Sequence, residues 1–63
     1  MDLKKEYIVV MVEEDNTETY EYFDTEKKSI EYAKKMIGEY KKIGVLLVDY
    51  VEKTEEFIWE SEE

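Results

Sequence analysis

Residues 7–12, Tyr-Ile-Val-Val-Met-Val, are apolar at odd and even positions alike. A strand with one face in water alternates apolar and polar residues with a period of two, so a strand that does not alternate is covered on both faces or lies centrally in a sheet. Residues 45–48, Val-Leu-Leu-Val, have the same character. The two segments predict two central strands of one sheet.

Turn-forming residues divide the strand segments into two hairpins. Asp15 and Asn16 tolerate the left-handed backbone of tight turns and are taken as a two-residue loop, while Lys53 and Thr54 form the second turn. The predicted strands lie at about 4–13, 17–23, 45–53 and 55–60.

The length of the first loop decides which residues face each other across the first hairpin. With a two-residue loop, Met11 faces Tyr20, Val9 faces Tyr22 and Ile8 faces Phe23. A loop of another length would shift every one of these pairs.

A helix is predicted between the hairpins, over about residues 25–43. Asp24 or Thr25 caps its start, and Gly44 ends it. Gly38 falls in mid-helix, where it costs about 1 kcal/mol relative to Ala. One face carries an apolar stripe with spacings of three and four, formed by Ile30, Ala33, Met36, Ile37, Tyr40 and Ile43.

The order strand, strand, helix, strand, strand predicts one α+β domain over residues 1–63. The doubly apolar strands one and three lie inside and the charged strands two and four outside, which gives an antiparallel sheet of order 2-1-3-4 with a right-handed crossover. One helix then packs on one face of this ββαββ sheet.

Both faces of the predicted sheet are largely apolar, although the chain offers one helix to cover them. We expect the more aromatic face under the helix; it holds Val9, Met11, Tyr20, Tyr22, Leu46, Val48, Tyr50, Phe57 and Trp59. The other face holds Ile8, Val10, Val12, Phe23, Val45, Leu47, Val51 and Ile58. Carboxylates interrupt this second face, as is typical of a protein interface with a polar rim.

A second copy of the chain is the simplest cover for the second face. A 60-residue domain hides only about 60% of its unfolded surface, so it gains from oligomerisation, and no cysteine is present to form a disulfide. We therefore expect a two-fold homodimer with Ile8, Val10, Leu47 and Ile58 at its centre. The alternative is that sheet twist and lysine stems cover this face.

The charge balance favours a basic partner. Nine lysines and 18 acidic residues give a net charge of −9, which repels nucleic acid and anionic membranes. Two acidic clusters, at opposite ends of the predicted sheet, are candidate contacts with such a partner: Glu13, Glu14, Asp15 and Glu18 at one hairpin, and Glu52, Glu55 and Glu56 at the other. The alternative is that these residues serve solubility.

No catalytic, metal-binding or cofactor-binding motif is found. The sequence has neither His nor Cys, and its only serines are Ser29 and Ser61, so a nucleophilic triad and a zinc site both lack their usual residues. We expect no enzyme activity, no metal and no cofactor. No signal peptide or membrane-spanning segment is recognisable, so we expect a soluble cytoplasmic protein.

The small size, acidity, lack of catalytic residues and two-hairpin-plus-helix pattern resemble the small acidic proteins that phages encode against bacterial defence systems. These include anti-CRISPR inhibitors, anti-restriction proteins that mimic nucleic acid, and anti-Hachiman-type proteins. The stretch Phe23-Asp24-Thr25-Glu26, followed by Ser29-Ile30-Glu31-Tyr32-Ala33, is also similar to many small bacterial and phage proteins with a capped helix after a hairpin.

The resemblance implies a phage inhibitor that acts in the host cytoplasm by binding, as a homodimer, a host nucleic-acid-processing defence complex with a basic surface. The alternatives are a structural dimerisation module and a designed ββαββ mini-protein.

Overall fold

The computed structural model describes residues 4–61 and has the predicted ββαββ order. The elements are β1 (Lys5–Val12), β2 (Glu18–Phe23), α1 (Glu26–Lys35), β3 (Lys42–Asp49) and β4 (Thr54–Glu60). The four strands form one sheet of order β2-β1-β3-β4, in which every neighbouring pair is antiparallel. The predicted α+β fold and strand order are confirmed.

Helix α1 begins at a capped end and is shorter than the predicted 25–43. The side chain of Thr25, whose backbone is extended, accepts a hydrogen bond from the amide of Lys28. The helix ends at Lys35, and the chain passes into the left-handed region at Gly38, where φ is +98°. Glycine adopts this conformation without the penalty of a Cβ, so Gly38 leads the chain out of the helix.

Gly44 lies inside strand β3 and does not end the helix as predicted. β3 starts at Lys42, three residues before the predicted start at 45, and places Gly44 opposite Val10 of β1 and Glu60 of β4. Gly44 is buried, and Ile43 enters the core from this strand rather than from the helix.

Asp49 ends β3 four residues before the predicted end at 53. Its Oδ1 accepts hydrogen bonds from the backbone amides of Val51 at 2.9 Å and Glu52 at 3.0 Å, which forms a side-chain-stabilised turn. Lys53 completes the turn with φ of +59°. Tyr50 and Val51, predicted to lie on opposite sheet faces, are turn residues.

The first hairpin has a three-residue loop, Glu14-Asp15-Asn16, in place of the predicted two-residue loop. Glu13 N donates to Thr17 O at 2.8 Å, and Asn16, with φ of +71°, donates its amide to Glu13 O at 2.8 Å. This pattern is a tight turn followed by a left-handed residue, a common three-residue hairpin loop.

The extra loop residue shifts the register of β2 by one position. Val10 pairs with Tyr20, Ile8 with Tyr22 and Tyr7 with Phe23, so the predicted pairs were wrong. Because side chains alternate between faces, the two tyrosines and Phe23 lie on the faces opposite to those predicted.

The core lies between α1 and one face of the sheet. Its buried members are Val9, Met11, Ala33, Ile43 and Val45. Ser29 and Ala33, one helical turn apart, are both fully buried, and their small side chains allow the helix to approach the sheet. The Ser29 hydroxyl donates to the carbonyl of Glu26 at 2.7 Å, so its burial leaves no unpaired group.

An irregularity in the β3–β4 ladder places two consecutive residues of β4 against the core. The register shifts between Val45 and Leu46, so that both Ile58 and Trp59 pack against the core cluster. A bulge of this kind sets two residues of one strand against one of its neighbour. It cannot be deduced from strict alternation along β4.

Candidate interaction surface

The face of the sheet opposite α1, here called the open face, has two apolar rows between two charged rows. Val9 and Met11 face the helix, so the alternate β1 residues and their cross-strand partners face away from it. The first apolar row is Tyr20-Val10-Gly44 and ends at the carboxylate of Glu60. The second apolar row is Tyr22-Ile8-Leu46-Phe57. The flanking rows are Glu18-Val12-Lys42 and Glu6-Val48-Glu55.

Large side chains of the open face are exposed to solvent. The exposed fractions are 60% for Tyr22, 54% for Phe57 and 46% for Tyr20. Within residues 4–61 the structure has one helix, and that helix packs on the opposite face. A contiguous exposed apolar face with a polar edge is the usual appearance of a protein interaction site.

The four residues predicted at the centre of a dimer interface do not lie on one face of the sheet. Ile8 and Val10 lie on the open face, but Leu47 pairs with Tyr7 on the helix side, and Ile58 packs against the core. The error arose because β3 starts earlier and contains Gly44, and because the ladder shift moves Ile58.

Sequence reasoning missed most of the open face. It had assigned five large side chains to the helix side, although all five belong to the open face: Tyr20, Tyr22, Leu46, Val48 and Phe57. One signal was present, since Asn16 suits the left-handed third position of a three-residue loop. No comparable signal marked the start of β3.

Carboxylates at the edge of the open face are held by tyrosine hydroxyls. The Tyr20 hydroxyl donates to Glu18, and that of Tyr50 donates to Glu6. These hydrogen bonds to carboxylates are the main cause of a raised pKa for Tyr20 and for Tyr50, because they favour the protonated phenol. Both tyrosines therefore remain neutral donors at physiological pH.

A notch lies in the open face above Gly44. Its walls are Val10, Val12 and Phe57, and its rim carries Glu18, Lys42 and Glu60; the depression has a volume of about 170 Å³. A Cβ at Gly44 would lie 3.0 Å from Cε1 of Phe57. The absence of a side chain at this position therefore lets the Phe57 ring lie over the backbone and leaves the notch beside it.

The two acidic clusters lie at opposite ends of the sheet, as the strand order requires. Lys42 pairs with Val12 at the end that bears the first hairpin, and Lys5 pairs with Asp49 at the other end. All seven clustered carboxylates are exposed: Glu13, Glu14, Asp15, Glu18, Glu52, Glu55 and Glu56. Glu18 and Glu55 belong to the open face, whereas Glu56 pairs with Leu47 on the helix side.

Between residues 4 and 61, no three acidic side chains converge in a group suited to hold a metal ion. In the same part of the chain, no helix has the length and apolar character needed to cross a membrane.

No protein-family model matches the chain, and the searches of curated proteins and of solved structures found no match either.

Proposed function

We propose that this chain is a non-enzymatic, acidic protein-binding module that acts by occupying the basic surface of a nucleic-acid-processing protein, as a phage anti-defence inhibitor does. One observation carries the proposal: the open face combines an exposed apolar centre with a rim of carboxylates. Such a face buries apolar area on binding, while its charge directs the choice of partner.

Charge favours a basic partner over a second copy. Among the paired strand residues of the open face, four are acidic (Glu6, Glu18, Glu55 and Glu60) and one, Lys42, is a cation. The whole chain carries −9. Two such faces brought together would repel each other, whereas the basic groove of a nucleic-acid-binding protein is complementary to them.

The exposure of the acidic side chains supports a binding role over a catalytic one. Among the described residues, every Asp and Glu is exposed except Glu6 and Asp49, which are half-buried. Acid–base catalysis by carboxyl groups relies on at least one such group held in apolar surroundings, where its pKa rises into the working range.

The open face can be tested by capture of a partner from bacterial lysate with tagged protein. We expect the double variant Tyr22→Ala/Phe57→Ala to lose a partner that the wild type retains at low salt and releases at high salt. The matched control is Ile37→Ala/Val51→Ala, which removes apolar groups of similar exposure, 53% and 61%, outside the open face. Equal capture by both double variants would exclude the open face as the binding site.

The acidic clusters can be tested by charge reversal. We expect Glu13→Lys combined with Glu52→Lys to weaken capture and to reduce its dependence on salt, because each change removes an attraction to the basic partner. Glu31→Lys combined with Glu39→Lys, at exposed positions outside both clusters, is the control with the same net charge. An unchanged salt dependence in the first variant would contradict the electrostatic part of the proposal.

The anti-defence role has its own test. We expect expression of the chain in bacteria that carry a defence system to raise the plating efficiency of a phage which that system restricts. The Tyr22→Ala/Phe57→Ala variant should lose this effect. No change in plating across a panel of nuclease- and helicase-based systems would contradict the inhibitor role and leave only the binding proposal.

A structural dimerisation module is the second candidate, because the exposed apolar centre of the open face also suits pairing with a second copy. Salt distinguishes the two candidates. Screening weakens binding to a basic partner, but it strengthens association between two acidic faces. A particle mass that doubles at high salt in size-exclusion chromatography with light scattering would favour dimerisation; a mass of 7.7 kDa at all salt concentrations would exclude it.

A further inference from the structure

The notch above Gly44 has the two features that a long cationic side chain requires. Val10, Val12 and Phe57 form apolar walls, and Glu18 and Glu60 place carboxylates at the rim. Lysine and arginine side chains bury their aliphatic stems against apolar surface while keeping the charged end in a polar environment. Carboxylates at the end of an apolar groove therefore complement both parts of such a side chain.

The chain's own Lys42 shows that a cation reaches this rim. Its Nζ lies 4.0 Å from Oε2 of Glu60, and the two side chains are 58% and 53% exposed. An exposed ion pair at this distance is weak, so a cation from a partner can replace it. Glu18 accepts a hydrogen bond from the Tyr20 hydroxyl, which orients the second carboxylate.

We infer that the notch formed by Val10, Val12, Gly44, Phe57, Glu18 and Glu60 receives an arginine or lysine side chain of the basic partner, in competition with Lys42. The inference rests on the proposed function and identifies the type of residue that anchors the partner. The net negative charge of the rim, two carboxylates against one ammonium, is the reason for assigning a cation rather than an apolar side chain.

NMR titration of the labelled protein with short capped peptides tests the inference directly. The probes are Ala-Arg-Ala and Ala-Lys-Ala, with Ala-citrulline-Ala as the uncharged analogue of the arginine peptide. Gly44 and Gly38 are the only glycines of the chain, and they provide a reporter in the notch and a control outside it. We expect the Gly44 amide signal to shift saturably with either cationic peptide, while the Gly38 amide signal does not move. The citrulline peptide should shift neither signal.

Two variants should change the affinity in opposite directions. Glu60→Gln removes a carboxylate of the rim and should weaken peptide binding about threefold, whereas Lys42→Gln removes the internal competitor and should strengthen it about threefold, the range expected of exposed ion pairs. Glu31→Gln, at an exposed position of α1 outside the notch and outside both acidic clusters, is the control with the same change in charge and should leave peptide binding unchanged. All three positions are exposed, so the fold should tolerate each change.

Several outcomes would overturn the inference. The first is a Gly44 signal that does not move at millimolar peptide. The second is an equal shift of the Gly44 signal with the citrulline peptide, which would indicate an apolar occupant. The third is a Gly44 shift that depends on protein concentration in the absence of peptide, which would place a second copy in the notch. Failure here is separable from failure of the proposed function. If Tyr22→Ala/Phe57→Ala abolishes partner capture while the peptides do not bind, the open face remains the binding site and the notch is not its anchor.

Discussion

The hydrogen bond between Tyr50 and Glu6 joins residues 44 positions apart in the sequence. Tyr50 follows the last residue of β3, and Glu6 lies near the start of β1, so the bond connects the turn of the second hairpin to an inner strand of the sheet. Its acceptor is a carboxylate, which makes it stronger than a bond between neutral groups. The same bond is the main cause of the raised pKa of Tyr50.

This bond predicts a loss of stability at alkaline pH. Because the folded pKa of Tyr50 lies above the unfolded value of about 10, the folded state holds its proton more tightly. The contribution is fully present below that unfolded value and is lost as pH rises through the folded pKa. Glu6→Gln should lower the titration midpoint of Tyr50, followed by NMR of the tyrosine ring carbons. The control variant Glu31→Gln should leave the titration midpoint of Tyr50 unchanged. An unchanged midpoint in Glu6→Gln would contradict the assignment of the raised pKa to the hydrogen bond with Glu6.

At the scale of elements, the loop of the first hairpin decides which side of β2 faces the helix. In the observed register Phe23 packs on Tyr32 of α1, with ring centroids 5.2 Å apart, and Tyr22 lies on the open face. A two-residue loop would exchange these positions. Since the exchange would move an aromatic residue into or out of the packed layer, it has a measurable energetic consequence.

The register predicts unequal effects for two neighbouring aromatic residues. Phe23→Ala should lower the free energy of unfolding by about 2 kcal/mol or more, because it removes a half-buried ring from contact with α1. Tyr22→Ala, at a side chain that is 60% exposed, should cost less than about 1 kcal/mol. Urea unfolding followed by circular dichroism measures both. A larger loss in Tyr22→Ala than in Phe23→Ala would contradict the observed register.

The whole molecule carries a net charge of −9 on 63 residues. Most of this charge lies in the strands, hairpins and tail, because residues 24–43 hold four acids and six lysines. Self-repulsion of this kind keeps copies apart and lowers the stability of the compact state. The charge that we propose to select a basic partner therefore also opposes folding.

Salt should accordingly raise the thermal unfolding midpoint. Between about 0.01 and 0.15 M ionic strength the screening length falls from about 30 to 8 Å, and each kcal/mol gained in a domain of this size corresponds to about 4–8 °C. Calorimetry at constant pH measures the shift. A variant with Glu13, Glu14, Glu52 and Glu55 changed to Gln should show a smaller dependence. A midpoint that falls with added salt in the wild type would show that charge repulsion does not limit stability.

The pattern of hydrophobic residues determined the order of the elements and the arrangement of the sheet. Strands β1 and β3 had to lie inside because residues 7–12 and 45–48 do not alternate, and the charged strands then had to lie at the edges. The strand order 2-1-3-4 follows from these two facts and from the single crossover. The existence of an uncovered face followed in the same way, since one helix covers one face.

The identity of the residues on that face was decided by the tertiary structure. Side chains alternate with a period of two, so a shift of one residue changes the face of a whole strand, and three local features caused such shifts. They are the left-handed backbone at Asn16, the early end of α1 before Gly38, and the ladder irregularity beside Val45. The packed layer between the sheet and α1 favours the observed arrangement, because it holds Phe23 against Tyr32 and both Ile58 and Trp59 against the core.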